Sequence, residues 1–150
     1  MDTAQLRADL YRDEGRRQYA YDDATGATLR TGDPLQGSLT IGVGWNLSAR
    51  GLPPVIIDRL LDIAVEDAEA AVQSIMGRSA YRRCAEPRQR ALVNMAFNLG
   101  ETKLRRFGRM WTHIRTGDWG LAAQAAKASR WYRQVGARGD RICRMLEEGT

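Results

Sequence analysis

Cysteine, histidine and long apolar runs are what this chain has least of. Its two cysteines, Cys84 and Cys143, are too few for a disulfide framework and too far apart for a C-x-x-C metal knuckle. Two small reduced core residues is the simpler reading, and a pairing across the fold is the alternative. The single histidine, His113, has no Ser, Cys or metal-ligand partner at a recognisable spacing, so it reads as structural. With no metal-ligand cluster, no phosphate-cradling glycine loop and no nucleotide motif, neither a metal nor any other cofactor is expected. No stretch approaches the roughly 18 consecutive apolar residues of a membrane span, so no stable membrane insertion is expected. The opening "MDTAQLRADLYRDEG" carries acids where a signal peptide needs an apolar core, so no export address is expected either. Repeats and low-complexity tracts are also missing.

What is present suits one folded domain. Apolar residues make up 43% and charged residues 27% of the 150, a balance that can bury a core and is far from that of a disordered chain. The net charge of +5 predicts attraction to a polyanion, whether nucleic acid, membrane surface or bacterial envelope, without choosing among them. The basic runs "RRQ", "YRRC" and "LRRFGR" each read as a solvated helix face.

Along the chain, Asp2 is placed to cap a first helix, Gln5 holds the capping-box position, and Gly15 supplies a stop that leaves Glu14 in the final turn. From Tyr19 to Trp45 glycines multiply and "SLTIGVGW" alternates like a strand, which predicts a small sheet. Pro53-Pro54 opens a helix. Ile57, Leu60, Leu61, Ala64, Val65, Ala68, Val72 and Ile75 then repeat at helical spacing, predicting one long helix over about 54–76. The remainder reads as helices in "PRQRALVNMAFNLG", "LRRFGRMWTHIRTG", "DWGLAAQAAKASRWY" and "ARGDRICRMLEE". The expected fold is α+β and mostly helical: a β lobe over about 15–50, the connecting helix, and a helical lobe over about 80–148 that takes in the N-terminal helix, with a cleft between the lobes.

The acids cluster where the first helix enters the sheet. A glutamate at a helix C-terminus faces the negative end of the macrodipole, which favours retention of its proton, as a general acid requires. A second carboxylate on a nearby strand, open to water, can act as a base; such pairs cleave acetals in most glycosidases. Asp23 follows Glu14 by nine residues, enough for a helix end, a turn and a short strand. Asp22 and Asp33 are competing acids, and strand alternation turns Asp22 and Asp23 to opposite faces.

In the order "DEGRRQYAYDD", "LTIGVGW", "RALVNMAFNLGE" and "AKASRWY", the sequence resembles the phage T4-type lysozymes, muramidase endolysins of glycoside hydrolase family 24, from about Leu10 to Ile142. The resemblance implies a lysozyme-like fold and a catalytic set of Glu14, Asp23 and Thr40. Glu14 would protonate the glycosidic oxygen while Asp23 and Thr40 hold a water on the opposite sugar face, inverting the anomeric carbon. It also implies supporting roles for Arg138 beside Glu14 and for Arg141 beside Asp13, substrate contacts by Phe97 and Asn98, and a packing role for Trp131. Sixteen residues separate Asp23 from Thr40, many more than in the best-known members, and Trp45 stands where the best-known relative has histidine. Trp45 is therefore placed to pack or to stack on sugar. The segment before the long helix is shorter, and a final short helix is expected to be missing.

The implied activity is hydrolysis of the β-1,4 bond between N-acetylmuramic acid and N-acetylglucosamine of bacterial peptidoglycan, by a monomer. It would stay in the host cytoplasm until a holin-type partner opens the membrane. Three other readings compete: a lytic transglycosylase, which needs one glutamate; an inactive wall-binding relative; and a basic helical protein that binds nucleic acid through "SRWYRQVGARGDRICR". The acids at 13, 14, 22 and 23 would repel phosphate, so nucleic acid is not the expected partner.

Overall fold

The computed structural model describes all 150 residues, Met1–Thr150. Ten helices and one small antiparallel sheet make an α+β, mostly helical fold, and the chain divides into two compact units, Met1–Asp58 and Arg59–Thr150. No helix is long and apolar enough to cross a membrane.

In the first unit, α1 (Thr3–Glu14) starts where Asp2 Oδ1 accepts the Gln5 amide at 3.0 Å. It stops at Gly15, whose φ of 74° only glycine adopts cheaply and whose amide donates to the Tyr11 carbonyl. The chain then runs into β1 (Arg17–Asp22), which pairs with β2 (Leu39–Gly42), which in turn pairs with the short β3 (Trp45–Asn46). The register sets Tyr21 opposite Thr40 and Asp22 opposite Leu39. On its other edge β1 is met by the start of the inserted segment, where Thr28 bridges Tyr21 and the Leu29 amide donates to the Ala20 carbonyl. A four-residue helix, α2 (Leu47–Arg50), follows under an Asn46 cap.

Helix α3 (Pro54–Met76) has the length that the apolar repeat predicts. The apolar positions of that repeat are not buried alike. Ala68 and Val72 are buried, whereas Ile57, Leu60, Leu61 and Val65 stay exposed, because only the last two to three turns of α3 meet the apolar core.

The second unit holds that core. Helices α4 (Arg78–Arg83), α5 (Glu86–Leu99), α6 (Glu101–Arg105), α7 (Gly108–Thr116), α8 (Trp119–Lys127), α9 (Arg130–Val135) and α10 (Ala137–Glu148) surround Leu92, Met95, Leu104, Met110, Ile142 and Leu146. Helix α10 packs on both α5 and α8, and α7 packs on α8.

Two stretches that read as single helices are each broken in two. Between α6 and α7, Phe107 leaves helical geometry and sets its ring edge-on against Trp131, 6.2 Å between centroids; the Trp111 indole N–H takes up the Leu104 carbonyl at 2.9 Å. Between α8 and α9, the Ser129 hydroxyl donates to the Ala126 carbonyl at 2.6 Å and accepts the Tyr132 amide at 3.2 Å, closing one helix and opening the next. Side-chain capping by distant aromatics and one serine thus replaces intrahelical bonds.

Both cysteines are free thiols. Cys84 donates to the Ala80 carbonyl, and burial pushes the fully enclosed Cys143 thiol up to about 11.

Candidate active site

Glu14, Asp23 and Thr40 all belong to the first unit, and each owes its place to a different element. Glu14 is the last residue of α1, exposed and free of hydrogen bonds or ion pairs to protein groups. It lies beside the turn between β2 and β3, where a Cβ built on Gly44 would stand 3.9 Å from Glu14 Oε2. Gly44 has a φ of 69°, so the turn itself requires glycine and, in doing so, keeps a side chain away from the carboxylate.

The three candidate acids of the β lobe separate cleanly. Asp33 is a turn former: its Oδ2 accepts the Arg30 amide at 2.7 Å. Asp22 is 1% exposed and points inward, where its Oδ1 accepts the amides of Ala24 and Gly37, both at 2.9 Å, and its Oδ2 accepts the Gln36 amide at 2.7 Å. Asp23 is exposed, and its Oδ1 accepts one amide, that of Ser38, at 2.6 Å. Its Oδ2 has no protein donor, which leaves it open to a water or a proton. The Asx turn that closes ahead of Gly26 belongs to Asp22 and not to Asp23.

Thr40, 3% exposed, donates its hydroxyl proton to the Ser38 carbonyl at 3.3 Å, so its oxygen lone pairs remain as acceptors. The same carbonyl accepts the Asp23 amide at 3.1 Å. One residue, Ser38, therefore ties the Asp23 carboxylate, the Asp23 backbone and the Thr40 hydroxyl together. Sequence inspection passes over Ser38 and Gly37, because their contribution is made by backbone atoms. The available signal is the Asp-Asp pair itself, which falls where β1 ends, with Asp22 its last residue and Asp23 the first of the turn that follows.

The Gln36 amide is the largest cause holding the Asp22 carboxyl below its usual range; burial opposes it, and the amides of Ala24, Gly37 and Thr25 reinforce it. A depressed folded value means that its contribution to stability is complete above the unfolded value and is lost as pH falls through the folded one. Thermal melts should therefore show wild type well above Asp22→Asn at neutral pH. The gap should narrow below about pH 4. A gap that stays constant down to pH 2 would show that the ionised form is not what these amides bind.

The other expected site residues fall as follows. Trp45 donates its indole N–H to the Gly51 carbonyl at 2.7 Å, and the Arg50 guanidinium lies 3.7 Å over its ring, so one face of the indole is already covered. Asp13 is exposed and pairs with Arg12 at 3.1 Å. In the second unit, Arg138 directs Nε and Nη2 at Asn94 Oδ1, at 2.9 and 2.7 Å. Arg138, Arg141, Asn94 and the exposed Phe97 line a groove of about 790 Å³ with Glu69, Tyr81 and Gln89. Asn98 does not line it; its Oδ1 accepts the Trp131 indole N–H at 2.9 Å, which gives buried Trp131 the packing role expected of it.

Comparison with known proteins supplies the family. The pre-baseplate central spike protein Gp5 of Enterobacteria phage T4 is 33% identical over 120 residues, which cover 80% of this chain and 18% of that protein. Probable T4-type lysozyme 2 of Dictyostelium discoideum is 27% identical over 114 residues, 73% of this chain and 67% of the relative. Probable T4-type lysozyme 1 of the same organism is 28% identical over 89 residues, 57% of this chain and 52% of the relative. The chain thus spans less than a fifth of the spike protein and between half and about two thirds of the other two. A family model described as phage lysozyme matches residues 12–145, a span that takes in Glu14, Asp23 and Thr40, and the chain belongs to the phage lysozyme family.

Proposed function

We propose that the chain is a peptidoglycan hydrolase, a muramidase that cleaves the β-1,4 bond between N-acetylmuramic acid and N-acetylglucosamine with inversion. The observation that carries this reading is the unlike treatment of two adjacent carboxylates, with Asp22 sealed inside and Asp23 left exposed on the Ser38 backbone that also holds Thr40. Glu14, unpartnered at a helix end, gives its proton to the bridging oxygen as the C1–O4 bond breaks. A water bound by Asp23 Oδ2 and the Thr40 lone pairs attacks C1 from the opposite face, and its proton passes to Asp23. In the second unit taken by itself, the groove carries the exposed apolar ring of Phe97 and the positive charges of Arg138 and Arg141, which suit an anionic wall polymer.

Family membership also supports a role in host lysis. In that role the monomer reaches the wall from the cytoplasm once a membrane-permeabilising partner has opened the way.

Digestion of purified peptidoglycan, followed by reduction and mass spectrometry, tests the chemistry. Hydrolysis yields new reducing muramic acid ends that carry one added water, and proton NMR of the fresh product should show the α-anomer first. Anhydromuramic products, with Asp23→Asn still active, would replace this reading with a transglycosylase.

A further inference from the structure

Six glycines of the first unit, Gly15, Gly26, Gly32, Gly42, Gly44 and Gly51, have positive φ, which is reason enough for glycine. Gly37 does not, and its φ lies where L side chains are found. What forbids a side chain there is space. A Cβ built on Gly37 would run into Asp23 Oδ1 and lie 2.7 Å from Ala24 Cβ and 2.8 Å from the Ala24 nitrogen. The slot that a methyl group would fill is the one the Asp23 carboxylate occupies.

Asp22 explains why the two segments approach so closely. Its carboxylate binds Ala24, at the start of the inserted loop, together with Gln36 and Gly37, at its end, and so draws the loop shut at its base. The next residue, Ser38, then arrives with its amide on Asp23 Oδ1 and its carbonyl on the Asp23 amide and the Thr40 hydroxyl.

We propose that Asp22 and Gly37 are positioning residues for Asp23: the buried carboxylate closes the 24–37 loop, and the bare Cα of Gly37 leaves the space in which Asp23 meets Ser38. The long insertion is then an orienting collar for the base. This inference rests on Asp23 being the base of the proposed hydrolysis. Because Asp22 is buried and Gly37 carries no side chain that could hold a sugar, disturbing them acts on kcat and spares KM.

The test compares wild type, Gly37→Ala, Gly32→Ala and Asp23→Asn on solubilised peptidoglycan fragments. Gly32→Ala is the control, because it strains the same loop through its φ while a methyl there meets nothing. Misplacing a catalytic group by about 1 Å costs about 10²-fold, so Gly37→Ala should lose about that much kcat with KM changed by no more than about twofold. Gly32→Ala should keep kcat within about threefold of wild type. Wild-type kcat in Gly37→Ala overturns the proposal, and so does an equal loss in Gly32→Ala. An active Asp23→Asn instead removes the hydrolytic reading itself, while an inactive Asp23→Asn beside a fully active Gly37→Ala removes only the collar. Should circular dichroism show Gly37→Ala unfolded, Asp22→Asn, close in size, carries the same expectation of a lost kcat and a retained KM, and a wild-type kcat in it overturns the proposal.

Discussion

Glu14→Gln should lower the rate of peptidoglycan cleavage by about 10²–10⁴-fold, the usual share of a general acid, and leave the thermal midpoint unchanged. Glutamine keeps the shape and the hydrogen-bonding oxygen of the side chain and has no proton to give. The stability half of the expectation follows from the surroundings. Glu14 is exposed, makes no ion pair or hydrogen bond within the protein, and ends a helix whose stop is set by Gly15. Removing such a charge changes stability by about 0.5 kcal/mol or less. Release of reducing ends measured beside a thermal melt therefore separates chemistry from folding. A variant that keeps its rate takes the acid role away from Glu14; one that loses rate and fold together shows a structural residue instead.

Leu92→Ala should have the largest effect on stability. Leu92 is 0% exposed at the centre of α5, inside the apolar core where α5 packs on α10. Truncation there leaves a cavity that the neighbouring helices fill only in part, at a cost of about 2–5 kcal/mol. Val55, near the start of α3, is 69% exposed, and Val55→Ala should stay within about 0.5 kcal/mol of wild type. Urea melts of the two variants give the comparison. A similar small loss in both would mean that the second unit is not held by the core described above. The contrast also bears on α3, where Ile57, Leu60 and Leu61 share one helical repeat with the buried Ala68 and Val72 and the fold leaves them exposed.

That mismatch shows what kind of information the sequence carries. Where one residue decides a local event, the reading holds: Asp2 caps α1, Gly15 ends it, and the double proline opens α3 close to its observed start. A cap or a stop is a contact among four or five neighbours along the chain, so its cause is visible in those neighbours. The breaks at Phe107 and Ser129 are different. The apolar pattern runs through both without interruption, and α6 separates from α7 because Trp131 and Trp111 offer Phe107 and the Leu104 carbonyl partners from other turns of the structure. Periodicity reports which face is apolar, not what arrives to cover it.

By itself the sequence determined the element types, the mostly helical α+β class, and the resemblance that put Glu14, Asp23 and Thr40 in one set, because these depend on short-range spacing and ordered motifs. Only the tertiary structure decided which acid is sealed and which is open. Asp22 and Asp23 are chemically identical neighbours. Their difference arises when a loop end more than ten residues away brings two amides, those of Gln36 and Gly37, to one and a single amide, that of Ser38, to the other. Hydrogen bonds to the backbone of a returning loop leave no mark in composition or periodicity, and it is those bonds that assign Asp22 to the fold and leave Asp23 free for chemistry.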